Sequence, residues 1–222
     1  MNNRGIFIAI EGPIGAGKTT LANLLNNNFG YTLLREIVED NPFLSKFYTD
    51  IKEYALQTEA FFLFNRVKQL EDVEKNFLNK SKGVISDYHI VKNLIFAGIT
   101  LDSNQFHRYK QVYNVFVNDL PQPDIVIYLN SNTDTLMRRI ATRDRSFERQ
   151  MDRNYIDNLR NEYKYYFNPL SIKHNFTGKE PIIIEIDNSN LDFLHNVQDR
   201  EFIINKVKEA ISSLGGNTEC SI

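Results

Sequence analysis

Gly12, Gly17, Lys18 and Thr19 stand in the stretch EGPIGAGKTT, residues 11–20, at the spacing G-x-x-x-x-G-K-[ST], a pattern that cradles phosphate. Glycines let the backbone curve so that its amides point inward at phosphate oxygens, where side chains would obstruct the approach. Lys18 adds a point charge. A helix opening at about Lys18 and running to Leu25 would bring its N-terminal dipole to the same anion. The Thr19 hydroxyl is then a ligand for Mg²⁺ on the β and γ phosphates of a nucleotide. Gly12, Pro13, Ile14, Gly15, Ala16, Gly17, Lys18, Thr19 and Thr20 are therefore expected to bind the nucleotide.

The loop does not identify who receives the phosphate, because regulatory GTPases, ATP-driven motors and small-molecule kinases share it. A GTPase needs Asn-Lys-x-Asp to read guanine, and the nearest candidate, NKSK at 79–82, lacks the aspartate.

The elements that must position this loop show as apolar runs: IFIAIE (6–11), TLLREIV (32–38), GVISDY (83–88), DIVIYL (124–129) and PIIIEI (181–186). Such runs suit strands buried on both faces of a parallel sheet. Longer, polar, helix-patterned segments separate them, so the expected fold is α/β, a five-stranded parallel sheet with helices on both faces. Between the second and third strands, FLSKFYTDIKEYALQTEAFFLFNRVKQLEDVEKNFLNK has no internal glycine or proline and reads as one or two helices. The segment after SDYHI has the same character up to DLPQPD, where two prolines stop the helix. Residues 1–214 are expected to form one domain and 215–222 a frayed tail.

With 222 residues, 42% of them apolar, the chain can bury one sizeable core. Lys plus Arg total 26 against 28 Asp plus Glu, a formal net charge of -2, so no global charge draws it to nucleic acid or a membrane. A small partner fits better. The single cysteine, Cys220, has no internal disulfide partner, in keeping with a reducing cytoplasm. The apolar run near the start is too short for a signal peptide or a membrane span.

Three further stretches stand in order beside these elements: REIVEDNPF after the second strand, SDYHI at the third, and RRIATRDRSFER after the fourth. With the loop, this ordered set resembles the deoxynucleoside kinases, and within them the bacterial deoxyadenosine and deoxyguanosine kinases, over roughly residues 6–170. The resemblance implies a P-loop kinase fold with an arginine-rich lid, transfer of the γ-phosphoryl of ATP to a deoxyribonucleoside 5′-hydroxyl, Mg²⁺ as cofactor, and a homodimer. It implies that Glu36 accepts the hydroxyl proton, since a hydroxyl is a poor nucleophile until a positioned acceptor takes its proton. Asp87 matches the acidic residue of the family's Asp-Arg-Ser motif, which helps hold Mg²⁺. Here Tyr88 and His89 replace the arginine and serine, so the arginine's role must be absent or supplied from elsewhere. Arg139, Arg143 and Arg145 match lid arginines that stabilise charge on the transferring group, although Asp144 stands where relatives often have glycine. Glu148 resembles a lid glutamate that contacts the sugar 3′-hydroxyl, which Tyr48 would meet from the other side.

Gln57 and Glu59 both could read the base edge. Glu59 stands seven residues before Arg66, the offset at which relatives acting on cytosine or adenine carry a glutamine, and registering Tyr54 on the family's helix-head tryptophan gives the same answer. A glutamine amide can donate to adenine N1 and accept from its N6 amine, whereas an ionised glutamate only accepts. Guanine offers the adjacent donors N1–H and N2–H₂, which suit a carboxylate. Asn93, where adenine- and cytosine-reading relatives have aspartate, could donate to guanine O6, and Arg66 to O6 or N7. The expected substrate is therefore deoxyguanosine, with deoxyadenosine as the near alternative. Of Phe61, Phe62 and Phe64, none is assigned as the base-stacking ring. A nucleoside monophosphate kinase would need added cations for the acceptor's phosphate, against which the acidic EIVED argues. A non-catalytic nucleotide switch would have no reason for Glu36 and the lid arginines. The stretch DNSNLDFLHNVQD could line the donor base, with no residue assigned.

Overall fold

A computed structural model describes residues 4–149, 151–168 and 180–215. Five strands alternate with helices: β1 (Phe7–Glu11), α1 (Lys18–Phe29), β2 (Thr32–Leu34), α2 (Leu44–Phe47), α3 (Ile51–Asn76), β3 (Val84–Ser86), α4 (Lys92–Thr100), α5 (Ser103–Val117), β4 (Ile125–Asn130), α6 (Thr133–Arg143), α7 (Arg153–Tyr166), β5 (Ile182–Asp187) and α8 (Val197–Ser213). The strands form one sheet in the order β2-β3-β1-β4-β5, with every neighbouring pair parallel. The chain passes from β1 to β2 on one side and crosses back over β1 between β3 and β4. The loop after β1 therefore lies where the winding reverses, at the carboxyl ends of the strands, the place where open α/β sheets bind ligands.

β1 shows why these runs become strands. All five of its residues are buried. Ile8 and Ile10 join the core shared with α1, α6 and α8, while Phe7 and Ala9 pack on the opposite face. A side-chain period of two with both faces apolar is the signature of a strand covered by helices on both sides.

Several boundaries differ from the sequence expectation. β2 ends at Leu34, not residue 38, and β3 ends at Ser86, not residue 88. The Asp87 backbone N–H donates to the Leu34 carbonyl at 3.1 Å, but the next bond runs from the Glu36 N–H to the Asp87 carboxylate at 2.7 Å. A side chain thus takes over from the ladder and leaves Glu36 in a loop. α1 continues past Leu25 to Phe29, where Gly30, at φ 65°, closes it through an N–H bond to Asn26. Asp50 restarts the chain as α3 by accepting from the Glu53 N–H, so the long glycine-free stretch is two α-helices followed by a 3-10 turn at Leu78–Lys80. Asp102 does the same between α4 and α5, in a capping box with Gln105. The expected tail lies, apart from Gly215, outside the described residues.

Candidate active site

The phosphate loop connects β1 to α1. Side chains of Asp50, Asp102, Asn132, Asp152 and Asn196 cap α3, α5, α6, α7 and α8, whereas α1, like α2 and α4, has no side-chain cap and is preceded by Gly17, left-handed at φ 91°. Its first amides are left for an anion. Gly15, at φ 84°, touches the lid-side helix: a Cβ there would fall 2.8 Å from the Leu136 carbonyl oxygen in α6. The Lys18 ammonium donates to the Gly12 and Pro13 carbonyls at 2.7 and 3.0 Å, bridging the loop. Burial, reinforced by the nearby Lys92 charge, pushes Lys18 down to about 8. Beneath the loop Glu11 is buried, and its carboxylate accepts from the Gly12 and His89 N–H groups at 2.9 and 2.6 Å.

Thr19 and Asp87 meet as expected, with the hydroxyl donating to the carboxylate at 2.6 Å. A hydroxyl and a carboxylate oxygen side by side, next to the phosphate loop, are hard donors that fit Mg²⁺ arriving with a triphosphate.

Glu36 projects into the same cavity. Arg66 donates to one of its oxygens and Lys92 to the other, at 2.8 Å. Burial alone would raise its pKa, but Lys92 and Arg66 outweigh that and hold it well below the ordinary carboxylate range. Lys92 escaped the sequence reading: an isolated lysine ahead of an apolar helix reads as solvated, and only the fold brings it against Glu36.

One cavity of about 1190 Å³ runs from Lys18 and Thr19 past Glu36 to Glu59, larger than the range of about 300–1,000 Å³ usual for single-ligand sites. It has room for two substrates. Glu59 is buried at its wall, 2% exposed, while Gln57 faces solvent. Helix rotation therefore selects between the two candidates as the register had. No hydrogen bond or ion pair to the Glu59 carboxyl is found among the described residues, and burial pushes it up to about 8 against the pull of Arg66 and Lys92. Burial therefore favours the neutral carboxyl over the ionised side chain expected from the sequence.

Asn93 also requires correction. It is fully buried and does not line the cavity. Its oxygen accepts from Arg66 at 2.7 Å, and its amide donates to the Tyr109 hydroxyl at 2.8 Å. Asn93 thus holds Arg66 from behind and has no amide proton turned to a base edge. Arg66 itself lines the cavity, stacked 4.7 Å over the Phe62 ring, and its Nε–H is buried without a partner among the described residues. Of the three phenylalanines considered in this helix, Phe62 lines the cavity; Phe96 of α4 joins it.

The arginine stretch forms the opposite wall. Arg139 donates to the Asn188 and Leu191 carbonyls at 3.1 and 3.3 Å, leaving its Nη1 buried and unpaired among the described residues. Arg143 grips Glu148 with Nε and Nη2 at 3.1 and 2.6 Å, and Arg145 approaches the same carboxylate at 3.8 Å. Tyr48 stacks on Phe147 with 6.0 Å between ring centroids, which sets it beside Glu148. Residues 189–195, within the stretch left without an assignment, close the far wall. Asn188 anchors that wall by donating to the Ala16 carbonyl at 2.6 Å. Tyr88 is wholly buried outside the cavity, its hydroxyl bonded to Gln69.

A family model described as deoxynucleoside kinase matches residues 8–212. Deoxyguanosine kinase of Bacillus subtilis (strain 168) is 46% identical over 209 residues, spanning 94% of this chain and 99% of that one. Deoxyadenosine kinase of Lactobacillus acidophilus is 29% identical over 219 residues, spanning 94% and 97%. Among solved structures, deoxyadenosine kinase from M. mycoides with bound dCTP matches with a TM-score of 0.76 at 29% identity, covering 92% of this chain and 100% of that one.

Proposed function

This chain belongs to the deoxynucleoside kinase family, and we propose that it transfers the γ-phosphoryl group of ATP to the 5′-hydroxyl of deoxyguanosine, giving dGMP and ADP. The observation that carries the choice of base is Glu59, a carboxyl buried at the cavity wall with no hydrogen-bond partner among the described residues. Such a group is an open position for a ligand with two adjacent N–H donors, and the guanine edge supplies them. The 46% identity to a deoxyguanosine kinase supports the same reading. Deoxyadenosine is the second reading, because a protonated Glu59 could donate to N1 and accept from the N6 amine.

In this reaction Glu36 takes the 5′-hydroxyl proton while the 5′ oxygen bonds to the γ phosphorus. The bond from that phosphorus to the bridging oxygen breaks with its electron pair on ADP. The loop amides and Lys18 hold the triphosphate, and Arg139, Arg143 and Arg145 stand ready to neutralise charge as it spreads over the transferring oxygens. Tyr48 and Glu148 orient the sugar. Thr19 and Asp87 would hold Mg²⁺, which when bound neutralises the β and γ phosphates.

The reading includes a cytoplasmic location, supported by a single cysteine and use of ATP. It also includes a homodimer, supported by an apolar patch on α3 and α5.

The test is ADP release with Mg-ATP and, in turn, deoxyguanosine, deoxyadenosine, deoxycytidine, thymidine and dGMP. Deoxyguanosine is expected to give the highest kcat/KM. A higher value for any other nucleoside, or release with dGMP alone, overturns the proposal.

A further inference from the structure

Lys92 is the first residue of α4, and its side chain, like that of Glu36, is 10% exposed. Among the described residues its ammonium makes one side-chain hydrogen bond, to Glu36, and it lies 5.3 Å from the Phe96 ring. Glu36 in turn donates its N–H to the Asp87 carboxylate at 2.7 Å, and that carboxylate accepts from Thr19 at the end of the phosphate loop at 2.6 Å. Lys92 therefore lines the cavity between the donor's phosphate seat and the acceptor's base. Position 88 puts no cation there, since the Tyr88 side chain is packed into the core.

Arg66 and Lys92 both contact Glu36 but are held differently. Arg66 is pinned by Asn93 and lies over Phe62. Lys92 has a flexible stem and a point charge with three donors. When Glu36 takes the hydroxyl proton it loses its charge, and a buried ammonium left without an anion is strongly disfavoured. The transferring phosphoryl group develops negative charge at that moment, in the cavity that Lys92 and Lys18 both line.

We propose that Lys92 is a catalytic residue of this reaction, whose ammonium passes from Glu36 to the oxygens of the transferring phosphoryl group as the proton reaches Glu36. The 5′-oxygen–phosphorus bond forms, the bond to the β-bridging oxygen breaks with its electrons on ADP, and the proton ends on the Glu36 carboxyl. Lys92 keeps its own proton throughout and exchanges one anion for another. The proposal rests on Glu36 as the proton acceptor.

The test uses the full chain with Lys92→Met, Lys92→Arg, Glu36→Gln and the double variant Glu36→Gln/Lys92→Met. Lys92→Met is expected to lower kcat by about 100- to 1,000-fold, the cost of one lost transition-state donor, with the deoxynucleoside KM within about threefold. Lys92→Arg should recover kcat to within about tenfold of the parent. A Lys92→Met enzyme that keeps kcat within about threefold of the parent overturns the proposal. Binding of a non-hydrolysable ATP analogue, followed by calorimetry, supplies a second readout and serves if Lys92→Met does not fold, because the double variant leaves no charge on either partner. Glu36→Gln frees Lys92 toward the phosphates, so it should bind the analogue about tenfold more tightly than the double variant, the worth of one charge-assisted hydrogen bond. Equal affinities of those two proteins overturn the proposal. Full activity of Glu36→Gln would instead bring down Glu36 as proton acceptor, an outcome separable from both comparisons.

Discussion

Glu59 is coupled to several charged and phenolic groups around the cavity, and its protonation decides what base the cavity can hold. Arg66 and Lys92 draw it toward ionisation, Glu36 opposes this, and Tyr48, Tyr109 and Tyr155 feel its charge. Burial dominates and pushes the carboxyl up to about 8 from 4.5. Below that pH the carboxyl carries its proton, and guanine, which needs two acceptors, must bind with release of a proton. The kcat/KM for deoxyguanosine should therefore rise as pH climbs toward about 8, where loss of the Lys18 charge ends the rise, and Glu59→Gln should flatten it, as steady-state profiles would show. The same substitution should move the deoxyguanosine to deoxyadenosine ratio of kcat/KM roughly tenfold to a hundredfold toward deoxyadenosine. Stability runs the opposite way. A carboxyl whose folded pKa is raised loses stability as pH climbs from 4.5 to about 8. Glu59→Gln should thus stabilise the empty protein by at most about 5 kcal/mol at pH 8.5 and by little at pH 4, read by denaturant titration. The position of Glu59 was legible in the sequence because the register to Arg66 and the helix rotation agree. Its protonation was not, since that depends on burial by distant elements. Asn93 failed for a related reason: its offset matched, but the start of α4 turns it toward Arg66 and Tyr109, away from the cavity.

α6 and the phosphate loop are close-packed, and this contact joins the donor's seat to the arginines. Gly15 carries it, with a left-handed φ of 84° and the Leu136 carbonyl where a Cβ would be. Gly15→Ala should cost about 2–4 kcal/mol, from the left-handed backbone and the overpacking together. It should also weaken ATP binding by displacing α6, measurable by denaturation and calorimetry; unchanged stability and affinity would show that the loop and α6 move independently. At the other end of α6, Asp144 is left-handed at φ 49° and ψ 44° and is clasped by Arg149 at 2.7 Å, a backbone conformation that glycine adopts without strain. Strand number, strand order of appearance and the loop–helix junction were readable from apolar runs and glycine spacing. The strand ends were not, because the Asp87 carboxylate replaces the ladder between β2 and β3 through a contact 51 residues apart in the chain. Lys92 was hidden in the same way, its anion lying 56 residues distant.

At the scale of the molecule, composition speaks only in negatives, yet the surface carries a positive signal. Val112, Val115 and Phe116 lie at helical spacing on one face of α5, and Phe64 of α3 meets Phe116 edge-on at 5.3 Å between centroids. Val115 is 75% exposed and Phe64 49%, a concentration of apolar surface that favours burial against another protein surface. A second copy of the chain is the occupant proposed. The patch is tied to chemistry through its helices, because α3 bears Glu59 and Arg66, while Tyr109 of α5 donates to the Glu59 carbonyl at 3.2 Å. Burying α5 in a dimer would stiffen the wall that reads the base without touching the loop that holds ATP. Val115→Asp should then convert a dimer to a monomer in sedimentation at micromolar concentration, since a buried unpaired carboxylate costs several kcal/mol. Its KM for deoxyguanosine should rise severalfold with the KM for ATP unchanged. A parent protein that sediments as a monomer, or a variant that stays dimeric, would remove the interface; a monomeric variant with both KM values intact would remove the coupling and leave the interface standing.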